Sequence, residues 1–376
     1  MQLRRIVTGI AALAFAGSAA HAGEPGDGQT ILTTKAATYV QIDSGGIEEV
    51  DEDGFVLEAI VFLDHDLGLT DRVSAKVLVD VVSSASITRD HNKNYRALQS
   101  GASGVTRVTG TLGWMHRFGD IDLSLHGSAA AEYAYTSFGG GATVSARLFE
   151  KNTTLSLGVD AYFDSVRMIR FNGDDEADEA KNSVTASLAW TQILSPLSLL
   201  NATAAYTRQD GFLAGQFNSV FTDDAGEDFE ITPDARDRYS LTARYKHAVG
   251  SYDAIEFGGR VYNDSWGILG GTTDLRYFLH ASPEHLFELT YRFHRQGGAD
   301  FYKPHFTTAQ TLQTSDPDLG DFNGHMVGVH YRLLDLEKPG PADEFDIGLY
   351  GYLRDNGLTM VWLSLGFSWD LAEVWK

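Results

Sequence analysis

The feature that most constrains this chain is an alternation of apolar and polar residues with period two, sustained over about ten residues at a time and repeated along most of its length. Between Leu286 and Arg295, Phe287, Leu289, Tyr291 and Phe293 alternate with Glu288, Thr290, Arg292 and His294. Arg238 to Lys246 sets Tyr239, Leu241, Ala243 and Tyr245 against Arg238, Ser240, Thr242, Arg244 and Lys246, and Leu155 to Asp164 repeats the pattern. Neighbouring side chains of a strand point to opposite faces, so each segment carries one apolar face and one charged face.

The pattern predicts about sixteen strands, at roughly 31–44, 54–65, 71–88, 105–118, 120–137, 141–150, 153–169, 183–195, 197–213, 237–249, 253–268, 271–281, 285–302, 324–336, 343–355 and 357–371. Connections after every second strand are tight, as at Asp66-Leu67-Gly68-Leu69, Lys151-Asn152 and Ser195-Pro196, whereas several of the others are long, notably Ala214–Arg236 and Lys303–Asn323. Short turns on one rim and long loops on the other describe an all-β, antiparallel, up-and-down transmembrane barrel with periplasmic turns and extracellular loops. In hydrocarbon every backbone N–H and C=O needs a partner within the protein, which a closed sheet supplies and an open one does not. The apolar face then meets lipid, because burying Arg244 or Arg292 there costs about 2–4 kcal/mol at mid-membrane.

The N-terminus supports export. Arg4 and Arg5 precede an apolar run from Ile6 and a small-x-small site, Ala20-His21-Ala22, which predicts a signal peptide over residues 1–22 and a single barrel domain over 23–376. Loss of the two arginines moves the formal charge from −22 to −24, an acidity that excludes nucleic acid as a partner. With no cysteine in the chain, disulfides, thiol nucleophiles and thiolate metal sites are excluded as well.

On this register Asp80, Asp122, His126, Glu132, Asp160 and Asp164 enter the lumen from the first half, and Arg238, Arg244, Arg260, Arg276, Arg292, Arg332 and Arg354 mainly from the second. Two arrangements follow: an acidic wall facing a basic wall, which would set ion preference, or mutual neutralisation that stiffens the wall. If Leu286 pairs near residue 338, His294 lies opposite His330 and Arg292 opposite Arg332; two imidazoles are half of a metal or anion site, and a merely polar lumen accounts for them equally. Acidic clusters at 48–53, 174–179 and 223–230 could hold a divalent cation or simply be solvated, and none has EF-hand spacing. No nucleophile elbow, zincin motif or phosphate loop is present, so neither catalysis nor a cofactor is expected. The last strand ends Gly366-x-x-Trp369-x-Leu371, resembling the C-terminal signal read by the barrel-assembly machinery, with Ala372 to Lys376 extending beyond it.

Several segments resemble a bacterial family of outer-membrane β-barrels of unknown function, the domain-of-unknown-function 3570 type. They are Asp64-His65-Asp66-Leu67-Gly68, Tyr206 to Leu213, Asp264-Ser265-Trp266-Gly267-Ile268, Asp300 to Phe306, and Ser315-Asp316-Pro317-Asp318-Leu319. The resemblance implies an outer-membrane barrel without an assigned activity, set in lipid and lipopolysaccharide. It also implies a periplasmic redox setting, with a partner protein for which the barrel is sheath or conduit. Function is therefore expected to be that of a channel or transport barrel for small polar solutes or ions, or of a non-conducting scaffold, with an outer-membrane hydrolase as a distant third.

Overall fold

Among the described residues, antiparallel pairing links each long strand to the next and closes on itself. The computed structural model describes residues 27–43, 50–89, 95–98, 105–170, 174–215, 218–334 and 343–371. The segment read as a signal peptide, residues 1–22, lies outside them, as do Glu48 and Glu49 of the first acidic cluster.

In chain order the elements are β1 (Asp27–Asp43), β2 (Val50–Leu67), β3 (Asp71–Arg89), a short β4 (Tyr95–Leu98), β5 (Val105–Phe118), β6 (Ile121–Glu132), β7 (Tyr135–Leu148), β8 (Thr153–Ile169), β9 (Asp175–Ser195) and β10 (Ser198–Gly211). Two short strands follow, β11 (Ser219–Thr222) and β12 (Gly226–Phe229), and then β13 (Ala235–Val249), β14 (Asp253–Asp264), β15 (Leu269–His280), β16 (His285–Gln296), a 3-10 turn η1 (Pro317–Leu319), β17 (Phe322–Leu334), β18 (Glu344–Arg354) and β19 (Leu358–Asp370). Setting aside β4, β11 and β12, the remaining 16 strands form a closed barrel. Closure is made by β1, which pairs with β2 on one side and with β19 on the other, Tyr39 lying opposite both Val56 and Trp362.

The two faces separate as the alternation demands. Leu155, Leu157, Val159 and Phe163 of β8 are exposed, as are Val361, Leu363, Leu365 and Phe367 of β19. Their neighbours Asp164 and Trp362 are buried. Rings gather at both ends of the outward face. At the short-turn end His116 stacks on Trp114 and meets Phe118 edge to face, with Asp71 accepting from the Trp114 indole at 3.2 Å. At the other end Tyr206 packs on Tyr239 and Phe293 on His325. Two aromatic girdles flanking an apolar band are what a lipid-facing barrel wall requires. Among the described residues no helix is long and apolar enough to cross a membrane.

Several boundaries depart from expectation, two of them for reasons the structure makes plain. The fifth and sixth strands were expected to meet near Gly139–Gly141; the turn instead lies at Tyr133–Ala134, and the three glycines sit inside β7. Their bare backbone accommodates neighbours: a Cβ on Gly139 would strike the Tyr162 ring, and one on Gly141 would come within 2.2 Å of the Asp160 carboxylate. A glycine inside a strand marks close approach as readily as a turn. Similarly β16 stops at Gln296 rather than running to 302, because the following segment folds away over the mouth.

Candidate functional site

Pairing places every predicted lumen residue on the inward face. In the first half, Asp80 lies opposite Arg107, Asp122 opposite Arg117, and His126 and Asp160 both opposite Gly141. The missing side chain at Gly141 lets His126 Nε2 approach Asp160 at 3.3 Å. Asp164 accepts from the Tyr135 hydroxyl at 2.7 Å, and Glu132 faces Tyr135.

An acidic wall facing a basic wall is not what the structure shows; acids and bases interleave. Asp122 lies between Arg117 and Arg147, at 2.8 and 3.0 Å, and Asp66 takes a bidentate bond from Arg72. In the second half Arg276 reaches Glu256 and Glu288, Arg292 bonds Asp274, and Asp346 receives both Lys35 and His330. A charge removed from bulk water is expensive unless paired, and cross-strand neighbours are the partners within reach. The reading along single strands missed this because the partners stand on other strands: Arg117 and Arg147 flank Asp122 from either side, Arg107 lies across from Asp80, and His126 reaches Asp160 over Gly141.

The histidine pair also needs correcting. Leu286 pairs with Arg332, not near 338, so His294 lies opposite Gly324, His330 opposite Glu288 and Arg292 opposite Met326. His294 bonds Thr272 at 2.9 Å and His330 bonds Asp346 at 2.9 Å. The error was one of register: β16 and β17 are joined by the long outer connection, so no tight turn fixes their pairing. Among the described residues no group of His, Asp and Glu is arranged to hold a metal.

A different part of the inward face is apolar. Tyr39, Val56, Met326, Leu358, Met360 and Trp362 form a buried cluster, joined by Val82, Tyr350 and Tyr352, along the seam where β19 meets β1. Tyr350 stacks on Trp362 at 5.0 Å and lies flat over Gly328, whose Cβ position is 2.1 Å from the ring. Beside this cluster Glu58 and Asp80 face each other across β2 and β3, both almost fully buried. Glu58 belongs to an ordinary alternating segment, and nothing in the sequence alone singled it out.

Above the lumen the two long outer connections fold into one structure. The β11–β12 hairpin is bridged to the β16–β17 connection at Thr222 and Phe306 and at Ile231 and Gln313. Glu230, expected in a solvated acidic loop, is instead buried; it accepts from Thr314 Oγ1 at 2.6 Å and from the Gly215 backbone N–H. A second core of Leu213, Trp266, Ile268, Ala299 and Leu319, with Phe301 and Tyr302 against it, lies beneath. Burial pushes the Tyr302 phenol up, with Asp316 and Asp321 acting in the same direction. Asp264 organises the base of this cap: one oxygen accepts from the N–H groups of Trp266 and Ile268, both at 3.0 Å, and the other from Tyr262 and the buried Arg236, whose guanidinium stands 4.2 Å from the Trp266 ring centroid. Gly267, at φ +88, is required for the turn, since a side chain there would meet Asp300.

The cap also reaches into the mouth. Arg354, on the inward face at the top of β18, bonds Asp318 of η1 at 2.5 Å, and Gln296 Nε2 donates to the carbonyls of Asp318 and Gly320. Four of the five segments that carried the family resemblance, 206–213, 264–268, 300–306 and 315–319, converge here.

A closed sixteen-stranded sheet, greasy outside and ionised within, defines an outer-membrane-type β-barrel with a structured outer cap. Within that class the chain belongs to the family described as "Protein of unknown function (DUF3570)", whose profile matches residues 7–339. No curated protein matches the chain. Solved structures to which it is similar include CdiB from Acinetobacter baumannii, at 10% identity and TM-score 0.49, covering 90% of this chain and 60% of that one. The chain is also similar to OccK8 (OprE) of Pseudomonas aeruginosa, at 10% identity and TM-score 0.45, covering 91% and 98%. A bacterial polysaccharide outer membrane secretin matches at 12% identity and TM-score 0.47, covering 89% and 97%.

Proposed function

We propose that this protein is a transport barrel of the Gram-negative outer membrane, passing small polar solutes or ions through a charged lumen beneath the cap. The observation that carries this reading is the inward face: Asp160, Arg244, Arg260 and Arg292, with their neighbours, are side chains suited to water and solute, enclosed by a wall suited to lipid. A barrel of this strand number is too wide for side chains alone to fill. Processing after Ala22, assembly by the barrel machinery through Gly366, Trp369 and Leu371, and an envelope of lipopolysaccharide belong to the same reading. The lumen residues act in it by positioning solute and no chemistry is assigned to them.

The test is reconstitution of the purified protein in planar bilayers. Discrete, steady conductance steps are expected; their absence in preparations verified as folded would overturn the reading. One observation favours a second: η1 is fastened to Arg354 at the mouth. On that reading the barrel is non-conducting and serves as anchor or sheath for a periplasmic partner, and the bilayer measurement separates the two.

A further inference from the structure

Most inward arginines are paired with an acid. Arg72, Arg117, Arg147, Arg236, Arg276, Arg292 and Arg354 each hold a carboxylate within ion-pair distance. On β13 and β14 the pattern breaks. Arg238 bonds the Tyr262 hydroxyl at 3.0 Å and Gln209 Oε1 at 3.3 Å, both neutral. Arg244 has a buried Nε without a hydrogen-bond partner. Arg260 stands 5.8 Å from the Tyr262 ring centroid, close enough to Arg238 and Arg292 for both to act on it as like charges. Among the described residues none of these arginines has a carboxylate partner.

They also share one patch. Arg260 lies opposite Thr242, two residues from Arg244 and four from Arg238, and Arg244 lies opposite Gly258; Arg238 and Arg260 flank the same Tyr262 ring, each 5.8 Å from its centroid. Arg244 and Arg260 are diagonal cross-strand neighbours, which stand roughly 7–8 Å apart at Cα, within reach of one another's long side chains. Gly258 keeps the wall low between Arg244 and Asp274: Arg244 Cγ is 3.6 Å, and the Asp274 carboxylate, which bonds Arg292, 3.2 Å, from where a Cβ would stand. Like charges held this close repel, and most other inward arginines avoid this by pairing with an acid.

We infer that Arg238, Arg244 and Arg260 form an oxyanion-binding station on the lumen wall, completed by a solute bearing a carboxylate. The guanidinium fork matches the two oxygens of a carboxylate, and two forks on adjacent strands hold one from both sides or grip both ends of a short dicarboxylate. Phosphate shares the chemistry. Outside, Asp223, Asp224 and Asp178 are exposed on the cap side, so an anion gains its favourable field only after entering. The inference gives a solute class to the transport reading and rests on it for purpose, though binding itself needs no conduction.

Isothermal titration of succinate, inorganic phosphate and glucose into the detergent-purified barrel tests it, alongside reversal potentials in bilayers. Succinate binding that weakens with added salt, and no heat from glucose, are expected. Arg244→Gln with Arg260→Gln should weaken succinate at least about tenfold, since each lost charge-assisted bond contributes more than that factor. R244K/R260K, which keeps the charge and loses the fork, should fall between. Heat-modifiable gel migration verifies folding of each variant. Binding to phosphate alone would move the assignment from carboxylate to phosphate and overturn the solute class. Equal affinity in native and R244Q/R260Q protein, or no binding by a folded native barrel, overturns the station even if channels are seen. Binding without conductance keeps the station and overturns transport.

Discussion

At the scale of single residues the structure turns on how buried charge is compensated. Asp264 shows it best: its carboxylate receives Arg236, Tyr262 and two backbone N–H groups, and neither Asp264 nor Arg236 has appreciable contact with solvent. Removing one member of such a pair leaves an uncompensated buried charge, which costs about 3–5 kcal/mol. Asp264→Ala is therefore expected to lower unfolding free energy by that order in urea titration and to speed amide exchange through Trp266–Ile268. A loss below about 1 kcal/mol would mean that the site is more hydrated than described. Gly141 makes the same point by absence. Gly141→Val would push into the Asp160 carboxylate and the Val159 carbonyl, and a destabilisation of about 1–3 kcal/mol is expected from the displaced wall, read as a lower urea midpoint.

At the scale of elements, strands were legible and connections were not. Period two fixes which face of β8, β13 or β19 is apolar, because a one-residue slip would invert the whole strand. It does not fix pairing between strands joined by a loose connection, which is why His294 and His330 were set opposite each other. Nor does it separate a glycine that ends a strand from one that makes room inside it, as at 139–141. The cap was legible only as unexplained sequence: Trp266, Phe301 and Tyr302 read as strand residues and Leu319 as a loop residue, and their common core exists only once two distant connections meet. The buried arginine of β13, Arg236, fell in a segment read as loop. The cap's fastening is itself testable. Asp318→Ala removes the bond to Arg354, and should raise protease cleavage within 303–316 and enlarge the conductance step, while gel migration of the folded barrel stays unchanged. Unaltered cleavage would show that Gln296 and the second core hold the segment unaided. At the closing strand Trp369 stacks on Phe367 and Gly366 leaves room for Asp346. Trp369→Ala with Leu371→Ala is expected to slow assembly, seen as unfolded material in pulse-chase gels, without changing the channel that does form.

At the scale of the molecule, the charge balance and the wall describe one design. The chain is acidic overall, yet its inward face interleaves both signs and leaves three arginines unmatched in one patch, below a cap that carries exposed carboxylates. Those features follow from a single arrangement, a closed cylinder with lipid outside and water within. Because the chain contains no cysteine, that arrangement can be read position by position with single cysteines placed along β8 in intact outer membranes. A membrane-impermeant, water-soluble thiol reagent should label cysteines at Ser156, Gly158 and Asp160 and spare those at Leu155, Leu157 and Val159. Labelling without alternation, or strongest at the odd positions, would contradict the barrel's assigned inside and outside.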